Sequence, residues 1–387
     1  MSAPNDQTST PGDQPNAPAV SGGTENPRPN AEVDNEVQIA ADVTDDQPAA
    51  DGNIAAADAA AGADDQDDDA ASEIQSRSLL SSTASVTSSV MEFRLENGRT
   101  YHGYNAGKYM MPNDEKEVDR LDLQHNLFLR TFDDRLATAP PNNPGAKVGR
   151  VLDVGTGSGI WAMDFGDEHP EAEVRGFDLS PVQPEYTPPN VRFEVADLED
   201  PWTWSQPFDY IHSRMMNSSI SNWKEYFKKC YDNLNPGGYF ELVEPDIIVE
   251  SDDGTLKPEH SIVKTGHLMV EATENAGRKY THIPTLKPIL METGFEHVTM
   301  QQFKWPVNPW PKDQKFKELG YWHNENLFLG WEAICMAPLT RGLGWTREEV
   351  LVLLAQNRRD FNDRSIHAYF SIWTIYGKKP YNTEDNA

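Results

Sequence analysis

From Arg150 to Glu244, short apolar runs alternate with stretches whose apolar residues recur at helical spacing. VLDV (151–154), EVRGFDL (173–179), VRFEVADL (191–198), FDYIHSR (208–214) and YFELVE (239–244) are short and rich in β-branched and aromatic residues, which predicts strands. Between them IWAMDFGDEH (160–169) and the residues from Trp223 to Leu234 predict helices, and NPGG (235–238) predicts a turn. Such alternation argues for a parallel sheet with crossover helices. Upstream, Val118, Leu121, His125, Phe128 and Phe132 form a stripe that predicts a helix over 115–136, with Asn113 or Asp114 as N-cap. Downstream, helices are predicted over 261–279 and 283–293, and strands in EHVTMQQFKWPV (296–307) and IHAYFSIWTIYGKKP (366–380). Between those two strands, 313–362 reads as a helical insert rich in apolar and aromatic residues.

The segment before this pattern has nothing to build a core from. Residues 1–92 contain no Phe, Trp, Tyr or Lys, and runs such as DDQDDD (64–69) add charge with little to bury. A chain of that kind does not offset its conformational entropy, so 1–92 is expected to be a disordered acidic tail. Residues 93–145 are expected to form an N-terminal lid segment and helix, and 146–380 one α/β domain. The formal net charge is −29, and residues 1–90, with 17 acidic and 2 basic side chains, carry only part of it. A globular part that is itself acidic repels phosphates, so neither direct nucleic-acid binding nor membrane association is expected. No apolar run reads as a signal peptide or a membrane span. Cys230 and Cys335 lie outside any metal-ligand spacing and read as reduced, buried residues of an intracellular protein, cytoplasmic or nuclear. No metal site is expected.

VLDVGTGSGIWA (151–162) places three glycines behind a predicted strand. A dinucleotide fingerprint requires glycine where Ile160 stands, and a phosphate-binding loop requires a Gly-Lys-Ser/Thr ending that this turn lacks. What remains is strand, Asp153, Gly155, Gly157, Gly159, helix, which a plain tight turn can also show. Two carboxylates downstream sharpen it. Asp178 closes the next predicted strand, where a carboxylate accepts both hydroxyls of a ribose. Asp197 ends the third, where one can accept the amine of adenine. Either residue alone can be a strand-end cap. Burying a ligand donor without an acceptor costs about 1–3 kcal/mol, so the set together points to an adenosine without a phosphate site. S-adenosylmethionine fits that description; NAD and ATP do not.

Residues from about Tyr101 to Pro380 resemble the fungal LaeA-like family of class I S-adenosylmethionine-dependent methyltransferases. The resemblance is carried by YHGYNAGKYMMPNDEKEVDRLDLQH (101–125), RVLDVGTGSGIWAMDFGDEHPEAEVRGFDLSPVQP (150–184), FDYIHSRMMNSSISNW (208–223), LNPGGYFELVE (234–244) and IHAYFSIWTIYGKKP (366–380). It implies a Rossmann-like seven-stranded, mostly parallel sheet of order 3-2-1-4-5-7-6 whose last strand is antiparallel. It further implies that Gly155, Gly157 and Gly159 form the cofactor loop, that Asp178 with Leu179 meets the ribose, and that Asp197 with Leu198 meets the adenine. His212 to Arg214 would follow the fourth strand, where cofactor and substrate meet. Family members divide between enzymes that methylate small metabolites and nuclear regulators of secondary metabolism that act beside velvet-type proteins.

Methyl transfer from a sulfonium requires alignment with a nucleophile and exclusion of water more than acid or base chemistry. Aromatic faces near the sulfonium attract its charge, at about 0.5–2 kcal/mol each. Tyr101, Tyr104 and Tyr109 are the candidates, either on a lid over the cofactor or as packing of that segment onto the core. His102, His125 and His212 lie near the expected site, and any could serve as a base. His125 falls on the apolar stripe of its helix, which favours packing, whereas His212 stands beside Arg214, which can meet an anionic substrate or pair with a local carboxylate. Trp202, Trp204, Trp305 and Trp310 either line a pocket or pack, and the insert over 313–362 is expected to cap the substrate side. Two functions follow: methylation of a small molecule, or regulation through a protein partner. A nicotinamide-dependent oxidoreductase fails on Ile160.

Overall fold

In the computed structural model, which describes residues 93–381, the first element is a two-stranded hairpin, β1 (Arg94–Glu96) and β2 (Arg99–Tyr101). The acidic segment over 1–92 lies outside the described residues. Asn97 and Gly98, both at positive φ (50° and 81°), make the hairpin turn. Helix α1 (Glu115–Thr131) follows, with the Asp114 carboxylate accepting from Glu117 N at its start. It ends five residues earlier than the stripe suggests, because Asp133 and Asp134 take φ of 56° and 61° and turn the chain.

Seven strands then form one sheet: β3 (Arg150–Val154), β4 (Glu173–Asp178), β5 (Val191–Val195), β6 (Phe208–Arg214), β7 (Leu234–Glu250), β8 (Glu296–Pro306) and β9 (Tyr369–Lys378). Their order is β5-β4-β3-β6-β7-β9-β8, with β9 antiparallel to both neighbours, so the Rossmann-like order 3-2-1-4-5-7-6 holds. Helices α2 (Ile160–Glu168), α3 (Trp223–Asp232) and α5 (Leu286–Thr293) cover its faces, and α4 (Ser261–Asn275) packs against β7. Covering both faces explains why β3 reads as a nearly unbroken apolar run. Leu152 and Val154 pack with Phe208, Ile211 and Phe227 on one face. Val151 packs with Trp161, Phe165 and Val174 on the other.

Several boundaries depart from the sequence reading. NPGG is not a separate turn between helix and strand; it is a bulge near the start of a 17-residue β7, with Gly237 at φ +83° and the register shifted opposite Phe208 and Tyr210. β5 stops at Val195, which leaves Asp197 on the loop beyond it. The helix begun at Ser261 ends at Asn275, ahead of Gly277 at φ +76°. The insert is two helices, α6 (Gln314–Ala337) and α7 (Arg347–Asn362), separated by a wide turn that starts at Pro338, whose missing N–H cannot continue the helix.

A buried carboxylate anchors the segment after α1 to the sheet. Glu241 of β7 is fully buried and accepts from Thr138 N (2.7 Å), Thr138 Oγ1 (2.7 Å), Ala139 N (2.9 Å) and the Tyr210 hydroxyl (2.7 Å). Nearby, Trp161 Nε1 donates to Leu136 O at 3.2 Å. The helix that roofs the site is thereby held in register with the strands that carry it.

Candidate active site

The glycine turn crosses from β3 to α2 with φ of +68°, +57° and +83° at Gly155, Gly157 and Gly159, angles that β-carbon-bearing residues rarely adopt. A Cβ at Gly155 would stand 2.6 Å from Met216 Sδ, and one at Gly159 would stand 2.5 Å from the Phe193 ring. The turn is bare because its φ values are left-handed and the Met216 and Phe193 side chains pack against it. Asp178, the last residue of β4, accepts from Gly157 N (3.0 Å) on one oxygen and from Ser180 N (2.9 Å) on the other. Burial pushes its carboxyl above the usual value, against those two N–H groups. Beneath the turn, Asp153 accepts from Thr156 Oγ1 (2.6 Å) and from His212 Nδ1–H (2.8 Å). His212 lies within β6, not beyond it, and stacks on Trp161 at 3.7 Å.

Asp153, Gly155, Gly157, Asp178 and His212, with Phe177, Leu179, Ala196 and Leu198, line a cleft of about 1030 Å³, its open mouth included; Gly159 stands outside its lining. The cleft fits an adenosyl amino acid. Its loop offers backbone without side chains. Asp178 keeps lone pairs to spare on a half-buried carboxylate. His212 Nε2 is buried with no partner among the described residues, an acceptor in want of an N–H donor once Nδ1 is committed to Asp153.

The segment from Tyr101 to Asn113 closes over this cleft, but its residues divide. Tyr109 stands in the cleft wall, and burial holds its hydroxyl far above the usual range. Tyr101 does not reach the cleft: it packs with Met110 and Ala337 under the Arg341 guanidinium, 4.7 Å from its ring. Tyr104 sits at the outer edge, its hydroxyl 3.5 Å from Asp200. His102 is a correction to the sequence reading. One ring nitrogen meets Tyr104 O (2.7 Å) and the other meets the Tyr109 backbone (3.2 Å), so neither is available as a base. Asp197 also differs from expectation. Its carboxylate is taken by Lys108 and by Asn105 Nδ2 (2.8 Å), and it latches the segment instead of facing the cleft.

Behind the cleft lies a second chamber of about 1150 Å³, its open mouth included, bounded by α1, β7, α4 and α6. Tyr109, Met111, Leu121, Gln124 and Met215 belong to both walls. Its surface is largely apolar, from Met269, Leu327, Trp331, Ile334, Trp305 and Phe370. Arg120, buried at its edge, is paired bidentately with Glu117 and donates to Asn326 Oδ1 at 3.0 Å, which ties α1 to α6. Of the four tryptophans singled out in the sequence, Trp305 lines this chamber. Trp202 and Trp204 pack edge-on around Phe177 and Phe208, and Trp310 stacks on His367 and donates to Ala368 O. Cys230 and Cys335 are buried, and burial pushes both thiols up.

Glu244, on the chamber wall, has no sequence signal beyond its place at the end of an apolar strand. It accepts from Met216 N (2.5 Å) and Asn217 N (3.2 Å), and burial pushes its carboxyl up to about 8. That value lies above the unfolded 4.5, so its contribution to stability is full below about pH 4.5 and is lost as pH rises through 8. Wild type should therefore lose about 1.4 kcal/mol per pH unit from this group within that window. Urea unfolding at a series of pH values should show the slope removed in Glu244→Gln; an identical slope would contradict the assignment. His323 acts in the opposite sense in both proteins, burial having pushed it down to about 4, so the difference isolates Glu244.

A seven-stranded sheet of this order, a bare glycine turn after its first strand and a carboxylate closing the second define a class I S-adenosylmethionine-dependent methyltransferase. A methyltransferase-domain family model matches residues 123–300. The chain is 43% identical over 302 residues to methyltransferase pytC of Aspergillus terreus, covering 78% of this chain and 92% of that one. It is 40% identical over 287 residues to the secondary metabolism regulator LAE1 of Cochliobolus heterostrophus, covering 72% and 93%. Against the secondary metabolism regulator laeA of Aspergillus fumigatus it is 37% identical over 291 residues, covering 74% and 76%. The chain belongs to the fungal LaeA-like methyltransferase family. Among the described residues no helix is long and apolar enough to cross a membrane.

Proposed function

We propose that the protein transfers the methyl group of S-adenosylmethionine to a small, largely apolar acceptor held in the chamber behind the donor cleft. The observation that carries this reading is the chamber itself: largely apolar, and sharing Tyr109, Met111, Leu121, Gln124 and Met215 with the cleft. Largely apolar concave sites with a few polar groups are what small ligands occupy.

In this reading Gly155, Gly157 and Gly159 receive the amino-acid end of the donor. Asp153 and His212 Nε2 offer acceptors to its ammonium. Asp178, with Leu179 beside it, accepts the ribose hydroxyls, and Ala196 and Leu198 bracket the adenine. Bound there, the donor supplies an activated methyl on a sulfonium. Tyr109 lies between cleft and chamber and presents its ring to that charge. Gln124, on the same wall, orients the acceptor, and α6 excludes water. No side chain is required as a base for the transfer step itself.

Ile334→Trp should fill the chamber while leaving the cleft intact, since Ile334 lines the former and not the latter. Calorimetry should then give donor affinity within about twofold of wild type, and transfer to organic-soluble acceptors should be lost. Transfer that survives the filled chamber would sink the reading. A second reading, a regulator of secondary metabolism acting through a protein partner, is favoured by two of the relatives being called secondary metabolism regulators. It predicts methylation of protein or none at all.

A further inference from the structure

Arg214 ends β6 with its guanidinium in the wall of the donor cleft, and among the described residues no carboxylate comes within 4.0 Å of it. Two groups hold it. The Phe128 ring lies 4.5 Å from its central carbon, and Nη1–H donates a long bond of 3.4 Å to His125 Nδ1. The second contact has its own support, because His125 Nε2–H donates to Asp164 Oδ2 at 2.8 Å and so leaves the Nδ1 lone pair towards Arg214. Burial lowers the pKa of His125, which keeps the ring neutral, and a neutral nitrogen does not neutralise a guanidinium. Burial also lowers Arg214, to about 10, which leaves it charged at neutral pH. Asp153, on the same face of the sheet, is engaged by Thr156 and His212. The result is an oriented, uncompensated cation in the wall of a cleft, a costly arrangement unless an anion completes it.

We propose that Arg214, in the cleft wall beside Met215, which cleft and chamber share, is the seat of a carboxylate. A planar guanidinium whose Nε and Nη2 make no hydrogen bond among the described residues matches a carboxylate bidentately. Its nearest cleft neighbours favour the amino-acid end of the donor, since the Asp153 and His212 acceptors suit an ammonium beside the carboxylate that Arg214 would take. An acceptor molecule entering past Met215 would present the same chemistry. The inference rests on the reading of the cleft as the donor site.

The test uses the full chain with three probes: S-adenosylmethionine, decarboxylated S-adenosylmethionine, and benzoate titrated into the S-adenosylhomocysteine complex. Wild type should prefer the carboxylated donor by roughly ten- to a hundredfold. Arg214→Met should lose that preference while binding the decarboxylated donor as wild type does, which also reports an intact fold. Arg214→Lys should keep part of it. An Arg214→Met protein that keeps the donor preference but no longer binds benzoate supports the seat and assigns it to the acceptor. One that changes neither overturns the proposal. Should Arg214→Met bind nothing, Asp164→Asn decides: a reduced preference supports the seat, and an unchanged one overturns it. A wild-type chain that binds neither donor form contradicts the donor-site reading itself, a failure distinct from that of Arg214 alone.

Discussion

Asp178→Ala should lower the affinity for S-adenosylmethionine by roughly a hundredfold or more. Two hydroxyls of a ribose donating to one ionised carboxylate contribute about 1.5–3 kcal/mol each, and tenfold in affinity is about 1.4 kcal/mol. The substitution also releases Gly157 N and Ser180 N, which now share that carboxylate, so the glycine turn loses its tie to β4. Asp178→Asn keeps one acceptor and should fall between. Calorimetry measures both, and equal affinity in Asp178→Ala and wild type would remove the ribose from this position.

Glu241→Ala should cost roughly 3–5 kcal/mol of stability, the largest effect expected outside the site. It deletes the acceptor of Thr138 N, Ala139 N and the Tyr210 hydroxyl, in a place fully closed to water. Stranded buried donors are the expensive half of a lost hydrogen bond. For a domain of this size the melting temperature should drop by roughly ten degrees, with Glu241→Gln less affected. A shift under about one degree would mean that the 136–142 segment is held by its apolar contacts alone.

The glycine turn and the carboxylate that closes β4 were legible in the sequence because their signals are local. Gly155, Gly157 and Gly159 sit within five residues, and Asp178 follows a strand whose apolar run is plain. The sheet order came through the family resemblance, since apolar runs do not say which strands pair. The hairpin at Asn97-Gly98 was there to be read from its turn and was missed, its strands being only three residues each. What was not legible depends on partners far apart in sequence. Asp197 was expected at the adenine, yet Lys108, 89 positions away, takes its carboxylate. His102 was expected as a base, yet its ring is taken by the Tyr104 carbonyl and the Tyr109 backbone N–H. The chamber draws on α1, β7, α4 and α6, and no single stretch carries its signature. His125 looked like packing on the stripe of α1, where it is indeed buried, but the stripe gives no hint that Asp164 and Arg214 meet it there.

Methyl transfer to a small molecule is the claim on which the rest depends. Purified protein, methyl-labelled S-adenosylmethionine and a deproteinised organic extract of fungal culture should yield label in the organic-soluble fraction. Wild type should place it there, and the Ile334→Trp protein, with its donor cleft intact, should not. Label found only in protein, or in no fraction although the donor binds, would contradict the account.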